Sequence, residues 1–412
     1  MQEVALAVVL AATIAALYVR PFGAKDWQIA VTGAAVAWLA GPLGLQGGVD
    51  AIVDSANIVA FFLGLMLISA GAESAGLYRN AAQLLEGFRP RRPRLIAVAS
   101  ASIGVTAVLS NDATPLVLTP AVLTEGAGRN GFSRHAALTV TFLADGASLL
   151  LPFSNPVNLL FFDRFNLSME GYLADITPAA IAGAAVIAAI LCVRAPSELP
   201  LPAPVGPRVP SRQTGFAMAL VVLLASAYVV AGYAGFPLGA VTVAGGVAMC
   251  AVARGGGEIH LRQIRRHVSF GLLAFVAALL LLLQSVTNAE TFEPLESALE
   301  RLESQPALVA VLCAAALAAV LANLMNNWPA ALLMVAVIAG VPGDHHALIA
   351  GAMIGLTIGA NFTLFGSLST IFWLNLAANG KASFSATEYA RRAFVPTLAG
   401  AGAACLVVSL LV

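Results

Sequence analysis

Charge is scarce in this chain. Of 412 residues, 21 are basic and 21 acidic, 10% together, where a soluble domain carries about 25%. With 59% hydrophobic residues and a mean hydropathy of +0.89, this excludes a soluble globule, and no stretch is polar enough for a separate soluble domain. No basic face exists outside short loops, which excludes nucleic acid as a partner. Cysteine is scarce too. Cys192, Cys250, Cys313 and Cys405 stand alone in apolar runs, with no CxxC or metal-ligand spacing, and are expected as small buried residues. No metal site or cofactor is expected. The five histidines, His135, His260, His267, His345 and His346, fall in or next to loops. They leave no Ser/His or His/Glu/Asp constellation at membrane depth, so no catalytic residue and no intramembrane enzyme is expected. Arg134 and His135, at a loop edge, read as interfacial anchors. The start, Met1-Gln2-Glu3, lacks a basic region, and Arg20 follows the first apolar run. This does not read as a cleavable signal and favours an outside N-terminus.

What is abundant is membrane span. About 20 apolar residues cross a bilayer, and the pattern predicts spans at 4–19, 27–42, 56–75, 135–162, 174–193, 214–233, 238–253, 268–286, 346–379 and 394–412. Two further segments, 95–125 and 307–341, are too long for one ordinary helix and are broken in the middle by Asn, Pro and small polar residues. The positive-inside rule constrains them. If each enters and leaves on the same side, the inside loops hold 19 of the 21 basic residues and leave only Arg164 and Arg301 outside. Those inside loops carry Arg20, Arg89, Arg129, Arg208, Arg262, Arg265, Arg266 and Lys381, among others. Charge does not separate a re-entrant hairpin from a crossing pair of short helices; the short arm 116–124 favours the hairpin. The expected fold is therefore an all-α polytopic membrane protein of two inverted repeats. Each repeat has five transmembrane helices plus one re-entrant hairpin, with broken helices at the midplane. Repeat one covers 1–194, with its hairpin at 95–125 and broken helix at 135–162. A Pro-rich inside linker covers 195–213. Repeat two covers 214–412, with its hairpin at 307–341 and broken helix at 346–379. Residues 290–303, with Glu290, Glu293, Glu296, Glu300 and Glu303 beside Leu295, Leu299 and Leu302, read as an amphipathic helix on the outer interface.

The breaks carry the chemistry. The first hairpin breaks at Ser110-Asn111-Asp112-Ala113-Thr114-Pro115 and the helix after it at Ser154-Asn155-Pro156-Val157-Asn158. The second pair reads Asn323-Leu324-Met325-Asn326-Asn327-Trp328-Pro329 and Gly366-Ser367-Leu368-Ser369-Thr370. Broken backbone at membrane depth is tolerated where protein or a cavity surrounds it, and matched breaks in two halves point to a transporter's binding site. A broken helix offers free N–H groups at one half-helix and free C=O groups at the other. The candidate solute ligands are Asn111, Thr114, Ser154, Asn155, Asn158, Asn326, Asn327, Asn361, Gly366, Ser367 and Thr370. No Arg or Lys sits at mid-depth to neutralise an anion, so the site leans toward a neutral solute or a cation. Asp112 and Asp145 are intramembrane acids, the kind that serve as proton relays, and are the candidates for proton coupling. Glu73, near the inner end of a span, is a weaker candidate. The second half offers Asn327 and Thr357 where the first has Asp112 and Asp145.

These breaks resemble those of ArsB-type arsenite efflux permeases of the ion transporter superfamily. The run Val108-Leu109-Ser110-Asn111-Asp112-Ala113-Thr114-Pro115 to Leu118-Thr119-Pro120 is similar to that family's first signature. Phe142-Leu143-Ala144-Asp145-Gly146-Ala147-Ser148, the Ser154–Asn158 run, Asn326-Asn327-Trp328-Pro329-Ala330, and Gly366–Thr370 with Trp373 resemble later ones, as do Arg79 and the residues before it. The likeness covers essentially the whole chain. One departure stands out. The family's acid ten residues before the second-half serine is Thr357 here, and its Gly-Pro-Lys and following Pro are replaced by Gly359-Ala360-Asn361 and Leu364.

The resemblance implies a multi-pass protein of a bacterial or archaeal inner membrane, and the charge placement sets both termini outside. It implies export of arsenite or antimonite as the neutral trihydroxide, coupled to protons by alternating access. A homodimer contact, and the cytosolic ATPase partner of some ArsB-like systems, are compatible with the chain; nothing in it requires either. The alternatives are a sodium/proton antiporter or an anion or carboxylate carrier of the same superfamily, and, in another class, a channel. A carboxylate carrier usually shows Ser-Asn-Thr in both breaks, which this chain lacks.

Overall fold

The computed structural model describes residues 2–19, 21–86, 91–123, 131–196, 211–255, 268–287, 293–379 and 382–412. Most of the expected linker lies outside them, as do Arg20, Arg89, Arg129, Arg208, Arg262, Arg265, Arg266, Lys381 and Glu290 and the last two residues of the first expected hairpin. The described residues are helical almost throughout. Gln46–Ser74, Met169–Val193, Arg212–Tyr233, Ala307–Met325 and Ala386–Val408 are each long and apolar enough to cross a membrane, and shorter apolar helices accompany them.

The helices of the first half are α1 (Gln2–Val19), α2 (Asp26–Ala40), α3 (Gly44–Asp54), α4 (Ala56–Ser74), α5 (Leu77–Glu86), α6 (Arg91–Val108), α7 (Ala113–Val122), α8 (Gly131–Gly146), α9 (Pro156–Arg164) and α10 (Thr177–Val193). Those of the second are α11 (Arg212–Tyr233), α12 (Leu238–Arg254), α13 (Phe270–Thr287), α14 (Glu293–Glu303), α15 (Ala307–Met325), α16 (Asn327–Gly340), α17 (His346–Thr357), α18 (Leu368–Asn379) and α19 (Ala386–Val408). Apart from α3, the order repeats. In both halves long helices lead to a short amphipathic helix (α5, α14), a two-armed hairpin (α6–α7, α15–α16), a helix broken in its middle (α8–α9, α17–α18) and a closing helix (α10, α19). The packing repeats as well. α4 lies against α12 and α13 against α2, and exchanging the halves turns one contact into the other.

α7 has 10 residues, about 15 Å of helix against about 30 Å of hydrocarbon, so it cannot cross. In the second hairpin α14 touches the outgoing arm, the returning arm and the helix that follows. Gly340, at the end of α16, leaves its Cβ position 2.4 Å from Glu296 Oε1. His345 N–H, just beyond, donates to Glu303 Oε1 at 2.9 Å. Both arms therefore end on one face, and the segment is re-entrant.

Small residues set the closest helix contacts, as expected where lipid removes the usual hydrophobic drive between helices. A Cβ on Gly64 would lie 2.3 Å from the Thr242 carbonyl carbon, and one on Gly246 2.9 Å from Gly64 O. Gly183 and Gly400 do the same for α10 and α19, each Cβ position lying 3.0–3.1 Å from the other's carbonyl oxygen.

Three expectations need correction. His135 is not an interfacial anchor. It is 5% exposed and its Nε2 lies 2.8 Å from Leu191 O, because this face of α8 packs against α10. Arg134 is engaged with protein. It spans both carboxylate oxygens of Glu388 at 2.8–2.9 Å, donates to Ser383 O and lies over the Phe384 ring. Cys405 alone of the cysteines is buried, while Cys313 is exposed.

Candidate functional site

The site is built from half-helix ends. α6, α8, α15 and α17 finish at the centre, and α7, α9, α16 and α18 start there. In three of the four breaks a proline falls in a first turn, where a missing N–H costs nothing: Pro115 in α7, Pro156 in α9 and Pro329 in α16. Asn side chains cap two of these starts. Asn155 Oδ1 accepts from Val157 N–H at 3.0 Å, and Asn326 Oδ1 from Trp328 N–H at 3.3 Å. Asn326 takes up a positive φ of 74° to do so, a cost of about 1–3 kcal/mol in backbone strain. Hairpin tip and helix break are joined by the same bond in both halves: Asn111 N–H donates to Ser154 O and Asn327 N–H to Gly366 O, each at 2.9 Å. By that register Asn327 corresponds to Asn111 rather than to Asp112, whose counterpart is Trp328. Thr357 does correspond to Asp145.

Asp145, in the last turn of α8, is fully buried. Its Oδ1 accepts from Asn111 Nδ2 at 3.0 Å and from Ser367 Oγ at 3.0 Å, and its Oδ2 accepts from Thr370 Oγ1 at 3.3 Å. Asn111 stands two residues before α7 and Ser367 one residue before α18, so the carboxylate is held next to the partly positive starts of both helices. No ion pair involves it among the described residues. Ser369 Oγ also crosses between halves, donating to Asn111 O at 2.9 Å.

The remaining expected ligands fall into groups around this centre. Asn155 and Asn158 hang on Ser148, which donates to Asp145 O at 2.8 Å. Asn155 Nδ2 donates to Ser148 Oγ at 3.2 Å and Asn158 Nδ2 to Ser148 O at 2.6 Å. Asn361 reaches the centre through Tyr389, whose hydroxyl lies 3.4 Å from Asn361 Oδ1 and 3.5 Å from Thr370 Oγ1. Ser154 and Asn326 tie breaks to hairpins, through Ala107 O and Phe365 O. Gly366 is held against Ala360 O, 2.0 Å from where a Cβ would stand. Thr114 turns away into its own hairpin, bonded to Thr106 Oγ1 and Ser110 O. The second acid, Asp112, is only partly buried and makes no capping hydrogen bond; Glu73 is exposed.

Among the described residues four buried asparagine oxygens have no protein donor, those of Asn111, Asn158, Asn323 and Asn327; the three on Asn111, Asn158 and Asn327 belong to residues at most 2% exposed. A buried acceptor left unmade costs about 1–3 kcal/mol, so these oxygens at the helix breaks are candidates to meet a donor-bearing ligand. Thr141, Ser148, Ser369 and Tyr389 were not singled out in the sequence. Thr141 is a lone hydroxyl in helical context, Ser148 and Ser369 lie within the motif runs without being taken as ligands, and Tyr389 stands beyond the last motif. Position four residues after Ser385, which caps α19, was the available hint that Tyr389 belongs inside the bundle.

The comparisons with known proteins agree with this architecture. "Arsenical pump membrane protein" of Yersinia enterocolitica is 28% identical over 360 residues, covering 83% of each chain. A protein of the same description from Escherichia coli is 27% identical over 405 residues, covering 94% of each. The crystal structure of the Alcanivorax borkumensis YdaH transporter, described as having an unusual topology, superposes with a TM-score of 0.61 at 13% identity, over 93% of this chain and 96% of that one. A family model described as "Citrate transporter" matches residues 2–359. Matched over most of its length by that model, this chain is a membrane transporter and not an enzyme, and it belongs to the CitMHS, or citrate transporter, family.

Proposed function

We propose that this transporter exports trivalent arsenic or antimony as the neutral trihydroxide, coupled to the proton gradient by alternating access. The observation that carries the reading is the Asp145 centre: a fully buried carboxylate held by donors from both halves, with no Lys or Arg among its partners. A trihydroxide brings three O–H donors, and the helix breaks hold orphan acceptors on Asn111, Asn158 and Asn327. Citrate would bring negative charge to a buried acid and to acceptors, with no cation to meet it, and burying unpaired charge is costly. The naming of the relatives as arsenical pumps supports the same substrate class.

In this reading Asp145 is the principal proton carrier and Asp112 the second, partly water-exposed one. Residues 1–194 and 214–412 are the inverted repeats and 195–213 their inside linker, with both termini outside a bacterial or archaeal inner membrane. The hairpins and broken helices move as a unit against the remaining helices, on which a homodimer contact would lie. No cytosolic ATPase is needed for the transport step.

The test is uptake into everted vesicles under an imposed proton gradient, with arsenite, antimonite, sodium and citrate side by side. Gradient-driven arsenite accumulation above empty vesicles is expected. Citrate or sodium accumulation in its place would assign the protein to a carboxylate carrier or a sodium/proton antiporter. Flux that ignores every gradient and does not saturate would make it a channel.

A further inference from the structure

The hydroxyls behind Asp145 have a donor count that depends on its proton. Thr370 Oγ1 has three neighbours: Asp145 Oδ2 at 3.3 Å, Thr141 Oγ1 at 3.3 Å and Tyr389 Oη at 3.5 Å. Beyond Tyr389 lies Asn361 Oδ1 at 3.4 Å. The Asn361 amide is turned this way because its Nδ2 donates to Phe142 O at 3.1 Å. All five residues, Thr141, Asp145, Asn361, Thr370 and Tyr389, are 0% exposed, so each hydrogen has to find its partner within the protein.

A threonine hydroxyl has one hydrogen to give and two lone pairs. When Asp145 is ionised it only accepts. Thr370 then gives its hydrogen to Asp145 and accepts from Thr141, while Tyr389 donates to Asn361 or Thr370; every donor is used. When Asp145 carries a proton toward Thr370, the chain reverses. Thr370 accepts from both Asp145 and Thr141, and its own hydrogen has one place left to go, the Tyr389 oxygen. Tyr389 in turn donates to Asn361 Oδ1, which accepts only. Removing the Tyr389 hydroxyl leaves the ionised arrangement complete. It leaves the protonated arrangement with one buried hydrogen unbonded, on Thr370 or on Thr141.

We propose that Tyr389 is a positioning residue for the coupling proton: acting through Thr370, its hydroxyl completes the proton-loaded state of the centre and is dispensable to the unloaded one. The inference rests on the reading of Asp145 as the proton carrier. The aromatic ring has a separate, structural part, packed 5.2 Å from Phe142 and 6.0 Å from Trp373 between ring centroids. The other titratable or charged groups on the elements around Tyr389 are Arg134 and His135 on α8, Glu388, Arg391, Arg392 and Cys405 on α19, Cys192 on α10, Cys313 on α15, His346 on α17 and Asp112 before α7. None of them has a hydrogen bond to the Thr370–Tyr389–Asn361 chain.

The experiment is Tyr389→Phe, which keeps the ring, reconstituted in proteoliposomes. Arsenite flux is measured against pH, and arsenite–arsenite exchange without a gradient serves as the control for fold and binding. The midpoint of the flux profile is expected to move by about half to one pH unit, the size of one lost hydrogen bond, with exchange retained. Asn361→Leu, which removes the terminal acceptor, is a second variant and is expected to move the midpoint the same way. Thr141→Val leaves both arrangements complete and is expected to leave the midpoint in place. The infrared carboxyl band of Asp145, titrated in detergent without solute, gives the same comparison independently of substrate identity. If both Tyr389→Phe and Asn361→Leu superimpose on a pH-dependent wild type, this inference is wrong and the coupling role of Asp145 survives. A wild type with no protonatable carboxyl band at Asp145 removes both.

Discussion

Ser367 Oγ, from the break in the second half, donates to Asp145 Oδ1, from the first, at 3.0 Å. The two residues are 222 positions apart, and the register of the breaks matches Ser367 with Asn155. One half has thus kept an acid and the other has supplied its hydroxyl partner. The two repeats meet at a carboxylate, so the group proposed to carry the proton is also part of the contact between them.

Asp145→Asn keeps the shape and an acceptor oxygen and removes the titration. Proton-driven arsenite uptake into everted vesicles is expected to fall to the level of empty vesicles, while exchange of arsenite for arsenite continues. Gradient-driven uptake with wild-type pH dependence in this variant would remove Asp145 from the coupling role. Asp112→Asn is expected to be milder, because Asp112 is partly exposed and makes no capping bond.

Ser367→Ala removes a hydrogen bond to a charged group, worth about 1.5–3 kcal/mol, and is expected to lower driven flux by roughly 10- to 100-fold. The double variant with Asp145→Asn should be no worse than Asp145→Asn alone. A double-mutant cycle on the melting transition, which all four proteins give, reads the coupling, expected within about 0.5–3 kcal/mol for groups in contact. Additive losses would mean that the serine acts elsewhere.

The breaks were legible because polar residues and prolines inside apolar runs are costly and have few physical explanations. Asp145, Asn111, Ser367 and Thr370 carried that signal and do converge. Thr114 carried it equally and serves its own hairpin, since a hydroxyl bonded within a helix pair looks the same in sequence as one facing a site. Tyr389 carried none, because an aromatic residue near a helix start is ordinary. The helices α3 and α5 were missed for a different reason. Gly44–Asp54 and Leu77–Glu86 are too short and too polar to read as spans, and they hold position by packing against neighbours. The match of Asp112 with Asn327 failed by one residue, a shift that only the Asn111–Ser154 and Asn327–Gly366 bonds could fix.

The α4–α12 contact leaves no room for side chains at Gly64. A Cβ there would sit 2.3 Å from the Thr242 carbonyl carbon, and backbone cannot swing aside as a flexible side chain can. Gly64→Val is expected to cost about 1–3 kcal/mol from overpacking. The check is an earlier melting transition by size-exclusion in detergent. Gly104→Val, in open space, should melt close to wild type.

The Arg134–Glu388 pair links α8 to α19 at 2.8 Å, with the two side chains 21% and 30% exposed. Partial exposure limits a pair of this kind to about 1 kcal/mol. Glu388→Gln is therefore expected to shift the melting transition only slightly. The charge-reversed double variant, Arg134→Glu with Glu388→Arg, should recover part of what either reversal loses. Equal losses in the double and single variants would show that the stacking of Arg134 on Phe384, 4.3 Å from the ring centroid, carries the contact instead of the charge.

Asn327 and Asn158 separate solute binding from structure. Asn158 uses its Nδ2 on Ser148 O at 2.6 Å and leaves Oδ1 free, so Asn158→Leu removes both a structural donor and a candidate ligand. Asn327 holds the break through its backbone N–H, bonded to Gly366 O at 2.9 Å. Its side-chain oxygen is buried without a partner, so Asn327→Ala removes the ligand and leaves that bond. If the orphan oxygens receive O–H donors from the solute, Asn327→Ala should raise KM for arsenite by roughly 5- to 10-fold, the size of one neutral hydrogen bond. The maximal rate and melting transition should change little. Asn158→Leu should raise KM and also lower the transition. An Asn327→Ala protein with unchanged KM would place the solute elsewhere in the central cluster and leave that buried oxygen as a local defect of the hairpin tip.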